Sequence, residues 1–126
     1  MKIKFFLLAV LFLSACYMNY SQRIIYYPDV PDVLFDKMIS ALEDLNYKID
    51  QPTKYPDLTL KSLGEEFTHP HLWGKKPELS IFVIFRRAPQ ETAIEIRVNS
   101  IGKKRSDQEL AQIRDEIVKK FEEKIK

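Results

Sequence analysis

The single thiol of this 126-residue chain, Cys16, lies directly after a leader-like segment. The segment begins with a positive charge at Lys2, continues with an unbroken apolar run over residues 5–13, and ends with two small residues. This order is that of a secretory signal peptide with its cleavage site. The apolar run is too short to span a membrane, which needs about 20 apolar residues. We therefore predict that residues 1–15 are removed and that Cys16 becomes the first residue.

The four residues Leu13-Ser14-Ala15-Cys16 resemble the lipobox of bacterial lipoproteins. In that motif the thiol receives a diacylglyceryl group, the chain is cut before it, and the new amine is acylated. Because two acyl chains already anchor a protein stably, the resemblance implies attachment to a membrane through a lipid on Cys16. In the lipoprotein sorting rule, Asp after the cysteine favours the inner membrane. Tyr17 stands there instead, so we expect the protein to be anchored in the outer membrane and to face the periplasm. The alternative to the lipoprotein interpretation is a plain secreted protein with an incidental cysteine.

The mature chain is electrically balanced and short. The whole sequence has 20 basic and 18 acidic residues, and two of the basic ones leave with the leader. A nucleic-acid binder would show a basic excess, so we expect no nucleic-acid partner. Residues 23–126 suffice for one domain. Residues 16–22 would form a tether that reaches about 20 Å when extended, which keeps the domain close to the bilayer.

The periodicity of apolar residues predicts a small α+β domain. β-Branched and aromatic residues favour strands, alternation marks sheet faces, and a spacing of three to four residues marks helices. Ser106 with Glu109 forms a capping box before the last helix. The predicted elements are a strand at 23–27, a helix from Pro31 to about Asn46, a strand at 57–63, a long loop at 65–77, strands from 79 and at 92–101, and a helix from 106. We expect the order β-α-β-β-β-α, with an antiparallel sheet of three to four strands, both helices on one face, and the other face largely solvent-exposed.

The chain also resembles a group of short, uncharacterised Gram-negative lipoproteins with this element order. The matching positions are Tyr27-Pro28-Asp29, Ala41-Leu42, Ile96-Arg97-Val98, Gly102 and Ser106. The chain departs from the group at Asn99, where a glycine is frequent, and at Lys103, where an acidic residue is frequent. The group carries no assigned activity, so the resemblance implies a location and a fold only.

The two histidines, His69 and His71, lie near Glu65 and Glu66 and must be weighed as metal ligands. Structural zinc sites use four protein ligands and catalytic ones three plus water. The alternative is a solvated or loop-packing role for both histidines, and we favour it. The sequence has no nucleophile elbow or phosphate loop, and its only thiol is assigned to lipid. We therefore expect no metal, no cofactor and no enzymatic activity.

Three cations, Lys103, Lys104 and Arg105, come immediately before the helix start at Ser106. Cations at a helix N-terminus oppose the helix dipole, whereas the free N–H groups there bind anions. The cluster is therefore a candidate anion-binding site, for example for a lipid headgroup. The alternative is a charge cluster that only keeps the protein soluble.

Trp73 lies in the predicted loop between Pro70 and Pro77 and is a candidate anchor for a partner, because interface hot spots are rich in tryptophan. The alternative is that it closes the edge of the core. We expect a membrane-anchored, non-catalytic envelope lipoprotein that serves as an interaction or assembly module, with an envelope protein as partner, through the Trp73 loop or the free sheet face. The alternative function is a small-ligand or lipid/anion-binding domain that uses space beneath Phe82 and Ile84.

Overall fold

The computed structural model describes residues 18–126, without the side chains of residues 18–20, 60 and 61. In this range the chain forms one antiparallel sheet, two α-helices and two short 3-10 helices, which confirms the α+β class. The predicted signal peptide, Cys16 and Tyr17 lie outside the described residues. The elements are β1 (Met18–Tyr27), α1 (Pro31–Asp44), β2 (Lys48–Thr53), 3-10 helices at Leu58–Leu63 and Glu65–Thr68, β3 (His71–Lys76), β4 (Leu79–Arg87), β5 (Thr92–Ile101) and α2 (Asp107–Ile125).

The sheet has five strands in the order β1-β5-β4-β3-β2, so the prediction of three to four strands is wrong. Along the chain the elements follow the order β-α-β-β-β-β-α, with one strand more than the expected β-α-β-β-β-α. The pattern over 57–63 predicts a strand, but this stretch is a 3-10 helix. Two strands take its place. β3 lies inside the predicted loop, and β2 contains Pro52. Proline is tolerated in β2 because this strand lies at the edge of the sheet and its register is broken between Asp50 and Thr53.

The first strand begins earlier than the sequence pattern predicts. Met18 pairs with Ile101 and Gln22 pairs with Arg97, so residues 18–22 belong to the sheet rather than to a tether. Only Tyr17 separates Cys16 from β1. Because consecutive Cα atoms are 3.8 Å apart, the Cα atoms of Cys16 and Met18 can be separated by no more than about 7.6 Å.

Both helices pack on one face of the sheet, as predicted, and the main core lies between them and that face. Ser106 is the N-cap of α2 and its Oγ accepts a hydrogen bond of 3.1 Å from the Glu109 N–H, which confirms the capping box. Gly74 in β3 permits close approach of α1, since a Cβ there would lie 3.3 Å from Leu42 Cδ1. The most deeply buried core side chains are those of Leu34, Met38, Leu42, Leu72, Ile81, Phe85, Ile94, Ile96, Leu110, Ile117 and Phe121. Neither helix of the described range has the length and apolar character of a membrane span.

Candidate functional site

The sheet face opposite the helices, here called the outer face, is not the solvent-exposed surface that the sequence predicts. The 3-10 helix Glu65–Thr68 covers its centre, and Phe82 and Ile84 are 2% and 0% exposed. Phe67 provides the cover, with its ring centroid 5.2 Å from that of His71 and 6.1 Å from that of Phe82. The space beneath Phe82 and Ile84, expected to hold a ligand, is therefore occupied by the protein's own side chains.

Trp73 is a residue of β3 and not of a loop. Its ring stacks on Phe82 at a centroid distance of 4.2 Å and an interplanar angle of 26°. The guanidinium of Arg97 lies 5.7 Å from the centroid of the same Phe82 ring. Trp73 remains only partly buried, so it closes the aromatic cluster and still offers indole surface to a partner. Both roles that the sequence suggests for Trp73 are compatible with this position.

A groove of about 500 Å³ opens beside Trp73 on the outer face. Trp73 and Phe67 give it an aromatic wall, and Asp50, Lys75 and Ser80 give it polar groups. Lys75 Nζ lies 2.7 Å from Asp50 Oδ2, and this hydrogen bond lowers the pKa of the Asp50 carboxyl. The groove thus combines a flat apolar surface with fixed opposite charges, an arrangement suited to an aromatic or aliphatic group that carries a polar end.

Next to the aromatic cluster, the outer face holds a buried carboxylate. Glu95 is 5% exposed, although its place in β5 predicts a solvent-facing side chain. Its Oε1 accepts hydrogen bonds from Gln22 Nε2 at 2.9 Å and from Arg86 Nη1 at 3.2 Å. Arg97 Nε lies 2.6 Å from Oε2, but among the described residues no donor is aligned to form a hydrogen bond with that oxygen. The two arginines neutralise the carboxylate, and the contacts of Glu95 with Gln22 and Arg86 tie β5 to β1 and β4 on this face.

The two histidines are held by local packing. His71 is buried, with Nδ1 at 2.8 Å from the carbonyl oxygen of His69. Burial lowers the pKa of His69, the positive charge of Arg86 lowers it further, and Glu65 opposes the shift. Within residues 18–126, no three His, Cys, Asp or Glu side chains are grouped so that they could hold a metal ion.

The predicted anion-binding residues lie in the connection between β5 and α2. Lys103 and Lys104 are exposed and Arg105 is partly buried. Ser100 Oγ donates a hydrogen bond to the Lys103 carbonyl, which fixes the start of the connection. The Ser106 hydroxyl already caps α2 through Glu109. None of the residues 103–106 lines the groove, so the structure does not join this cluster to Trp73 in one site.

Asp50, Lys75 and Phe67 are groove residues that the sequence pattern does not single out. Asp50 and Lys75 belong to β2 and β3, the two strands that the pattern misses, and their pairing depends on strand register. Phe67 offered one signal, an aromatic residue between acidic and polar neighbours in the predicted loop. Comparison of the chain with models of known protein families and with curated proteins gives no match.

Proposed function

We propose that this protein is a non-catalytic lipoprotein of the bacterial outer membrane, anchored through Cys16, and that it works as an interaction or assembly module through Trp73 and the adjoining groove. One observation supports Trp73 as the interaction surface: its partly exposed ring stacks on buried Phe82 beside a groove of about 500 Å³. A tryptophan held rigidly at the edge of a pocket is the usual form of an interface anchor.

Anchoring through Cys16 is supported by the lipobox-like sequence and by the position of β1. Since one residue separates Cys16 from Met18, the attached lipid would hold the sheet directly against the bilayer. A domain on so short a connection cannot reach far from the membrane. Its partner must therefore be another membrane-bound protein or one that comes to the membrane surface.

Crosslinking in intact cells, followed by mass spectrometry, tests the interaction surface. We expect a reproducible crosslinked partner with the wild-type protein, and its loss in Trp73→Ala. Trp73→Phe keeps an aromatic ring on Phe82 and should retain the partner. Tyr55→Ala is the matched control, because Tyr55 is an aromatic residue with 75% exposure outside the groove. If Trp73→Ala keeps the crosslink at the wild-type level, the groove is not the interaction surface.

The second candidate is a small-ligand or lipid-binding domain, and the size of the groove favours it. Ligand sites measure roughly 300–1,000 Å³, and the groove lies within that range. The ligand would lie against Trp73 and Phe67, not beneath Phe82. Native mass spectrometry of the protein purified from its own membranes would then show an added mass that disappears in Trp73→Ala. If the protein is an interaction module instead, the wild type should show no such mass and should give the crosslinked partner that Trp73→Ala loses.

A further inference from the structure

The sheet has two edge strands, and only one of them is protected against pairing with another strand. β2, at one edge, contains Pro52, has a left-handed backbone at Gln51 with a φ of 49°, and breaks its register with β3 between Asp50 and Thr53. Prolines and bulges are common means by which an edge strand is kept from pairing with another chain. β2 is therefore unsuited to accept a further strand.

β1, at the other edge, has none of these protective features. It pairs with β5 in unbroken register from Met18–Ile101 to Tyr27–Thr92, and it contains neither a proline nor a residue with positive φ. Because residues of an antiparallel strand alternate in the side to which they direct their backbone groups, about half of the N–H and C=O groups of β1 point away from β5. Within residues 18–126 none of these outward groups makes a backbone hydrogen bond to another element. β1 thus offers a regular ladder to an added strand.

The side chains of β1 give its edge little protection by charge. Arg23 is the sole charged residue of the strand, and its guanidinium lies 3.3 Å from Asp115 Oδ1 of α2. Ile24 and Tyr26, on the outer face, are 45% and 56% exposed. A neighbouring strand would remove part of this apolar surface from water, because side chains on paired strands pack against each other. The free edge of β1 therefore combines open backbone groups with exposed apolar side chains.

We propose that two copies of this protein pair through β1 in antiparallel orientation, so that their sheets join into one sheet with five strands from each copy. Two-fold symmetric pairs are the commonest homo-oligomers. With the two-fold axis beside Ile24, this residue lies opposite Ile24 of the second copy, and Tyr26 lies opposite Gln22 of the second copy. Arg23 then lies opposite Ile25 of the second copy, whereas an axis beside Arg23 would set two guanidinium groups opposite each other. The exposed apolar side chains thus meet at the centre of the pair.

The lipid proposed at Cys16 favours this pairing and is compatible with its geometry. Copies held in one membrane meet at a higher effective concentration than free copies do. The two-fold axis is perpendicular to the sheet, so both lipids can enter the same bilayer when the strands lie along its surface. Cys16 precedes Ile24 by eight positions, which separates the two cysteines by roughly 50 Å. None of residues 21–27 lines the Trp73 groove, so the pairing goes beyond the proposed function and uses a separate surface.

Single added cysteines test the pairing in the mature lipidated protein, whose own Cys16 thiol would be blocked by lipid. Opposed residues of an antiparallel pair have Cβ atoms about 4.5–5.5 Å apart, close to the span of a disulfide. Mild oxidation of Ile24→Cys in isolated membranes should therefore give a disulfide-linked dimer. Gln22→Cys and Tyr26→Cys should each crosslink poorly alone but should crosslink when the two are coexpressed. Tyr55→Cys, at a 75% exposed position outside β1, measures random collision and should give little dimer.

The mass of the protein in detergent, measured by sedimentation, is a second readout. We expect a dimer for the wild type and a monomer for Ile24→Lys, because this change sets two ammonium groups opposite each other across the axis. Ile24 is 45% exposed, so the variant should still fold, and unchanged Trp73 fluorescence would verify this. Leu58→Lys makes the same change at a 73% exposed position outside β1 and should leave the dimer intact.

Three results would overturn the pairing. A monomer mass for the wild type would exclude the dimer, and equal crosslinking of Ile24→Cys and Tyr55→Cys would exclude β1 as its interface. A crosslink from Ile24→Cys to a chain of another mass would show that β1 accepts a strand of a different protein instead. None of these results bears on the Trp73 groove, which is tested separately by the loss of the crosslinked partner in Trp73→Ala.

Discussion

Replacing Phe67 by Ala should destabilise the domain, because this one side chain covers the centre of the outer face. Phe67 is partly buried and packs on His71 and on Phe82, which is only 2% exposed. A fully buried Phe→Ala change costs about 3–5 kcal/mol, so roughly half of that is expected for a partly buried ring. The lost aromatic pairs add about 0.5–1.5 kcal/mol. We therefore expect the free energy of unfolding to fall by about 2–4 kcal/mol.

Urea unfolding of residues 18–126, followed by Trp73 fluorescence, measures this change. Trp73 is a suitable reporter because it stacks on the Phe82 ring that Phe67 covers. At about 4 °C or more per kcal/mol for a domain of this size, the melting temperature should fall by roughly 8–15 °C. Leu63→Ala is the matched control: Leu63 ends the neighbouring 3-10 helix but is 68% exposed, and its loss should change stability by less than about 0.5 kcal/mol. Equal stability of the two variants would refute the packing of this segment on the outer face.

Three further perturbations test the two sides of the sheet. Gly74→Ala should lower the free energy of unfolding by roughly 1–2 kcal/mol in urea titrations, because the added methyl would press on buried Leu42. Glu95→Gln should lower the free energy of unfolding by roughly 1–3 kcal/mol. This is less than breaking a fully buried ion pair costs, because Arg97 is 29% exposed and can turn to water. An unchanged midpoint of urea unfolding would contradict the role of the Glu95 ion pairs in stability. Burial and the nearby Glu122 raise the pKa of Tyr27 from 10.0 to about 12, so the stability that its neutral form provides is present below pH 10 and is lost as the pH rises through 12. Between pH 10 and pH 12 the free energy of unfolding of Tyr27→Phe should therefore fall less than that of the wild type, as measured by unfolding at alkaline pH.

The parts of the fold with strict local periodicity could be predicted from the sequence. β5 alternates regularly, and α2 has both an apolar stripe and the Ser106 capping box, so both elements are found near their expected bounds. β2 and β3 could not be predicted with the same rules. Pro52 and Gly74 weaken a strand pattern, and they are tolerated here only because β2 is an edge strand and because α1 needs close approach at Gly74.

The outer face could not be predicted for a different reason, since its cover depends on how the segment before β3 folds back over the sheet. The alternation at 57–63 predicts a strand with a buried face, yet Leu58 and Leu63 are 73% and 68% exposed in a 3-10 helix. The charged residues of β5 predict a solvated surface, but Gln22, Arg86 and Arg97 surround Glu95 and allow its burial. Such pairing depends on strand order, which a single sequence does not contain. Trp73 could be selected as a candidate, but the groove beside it could not.

The start of β1 determines how closely the proposed lipid anchor would hold the domain to the membrane. Because the strand begins at Met18, a lipid on Cys16, as proposed, would fix which end of the sheet is held at the bilayer and how near the Trp73 groove lies to it. A free seven-residue tether would have left both undetermined. The orientation, the reach to partners and the distance of the groove from the membrane would all depend on the proposed lipid at Cys16.

Metabolic labelling with palmitate, combined with the intact mass of the mature protein, tests that attachment most directly. We expect the mature wild-type protein to incorporate label, to begin at Cys16, and to carry the added mass of its acyl chains. Cys16→Ser should incorporate no label and should no longer be held in the membrane fraction by lipid. A wild-type protein without label, or a mature chain that begins at another residue, would contradict the account.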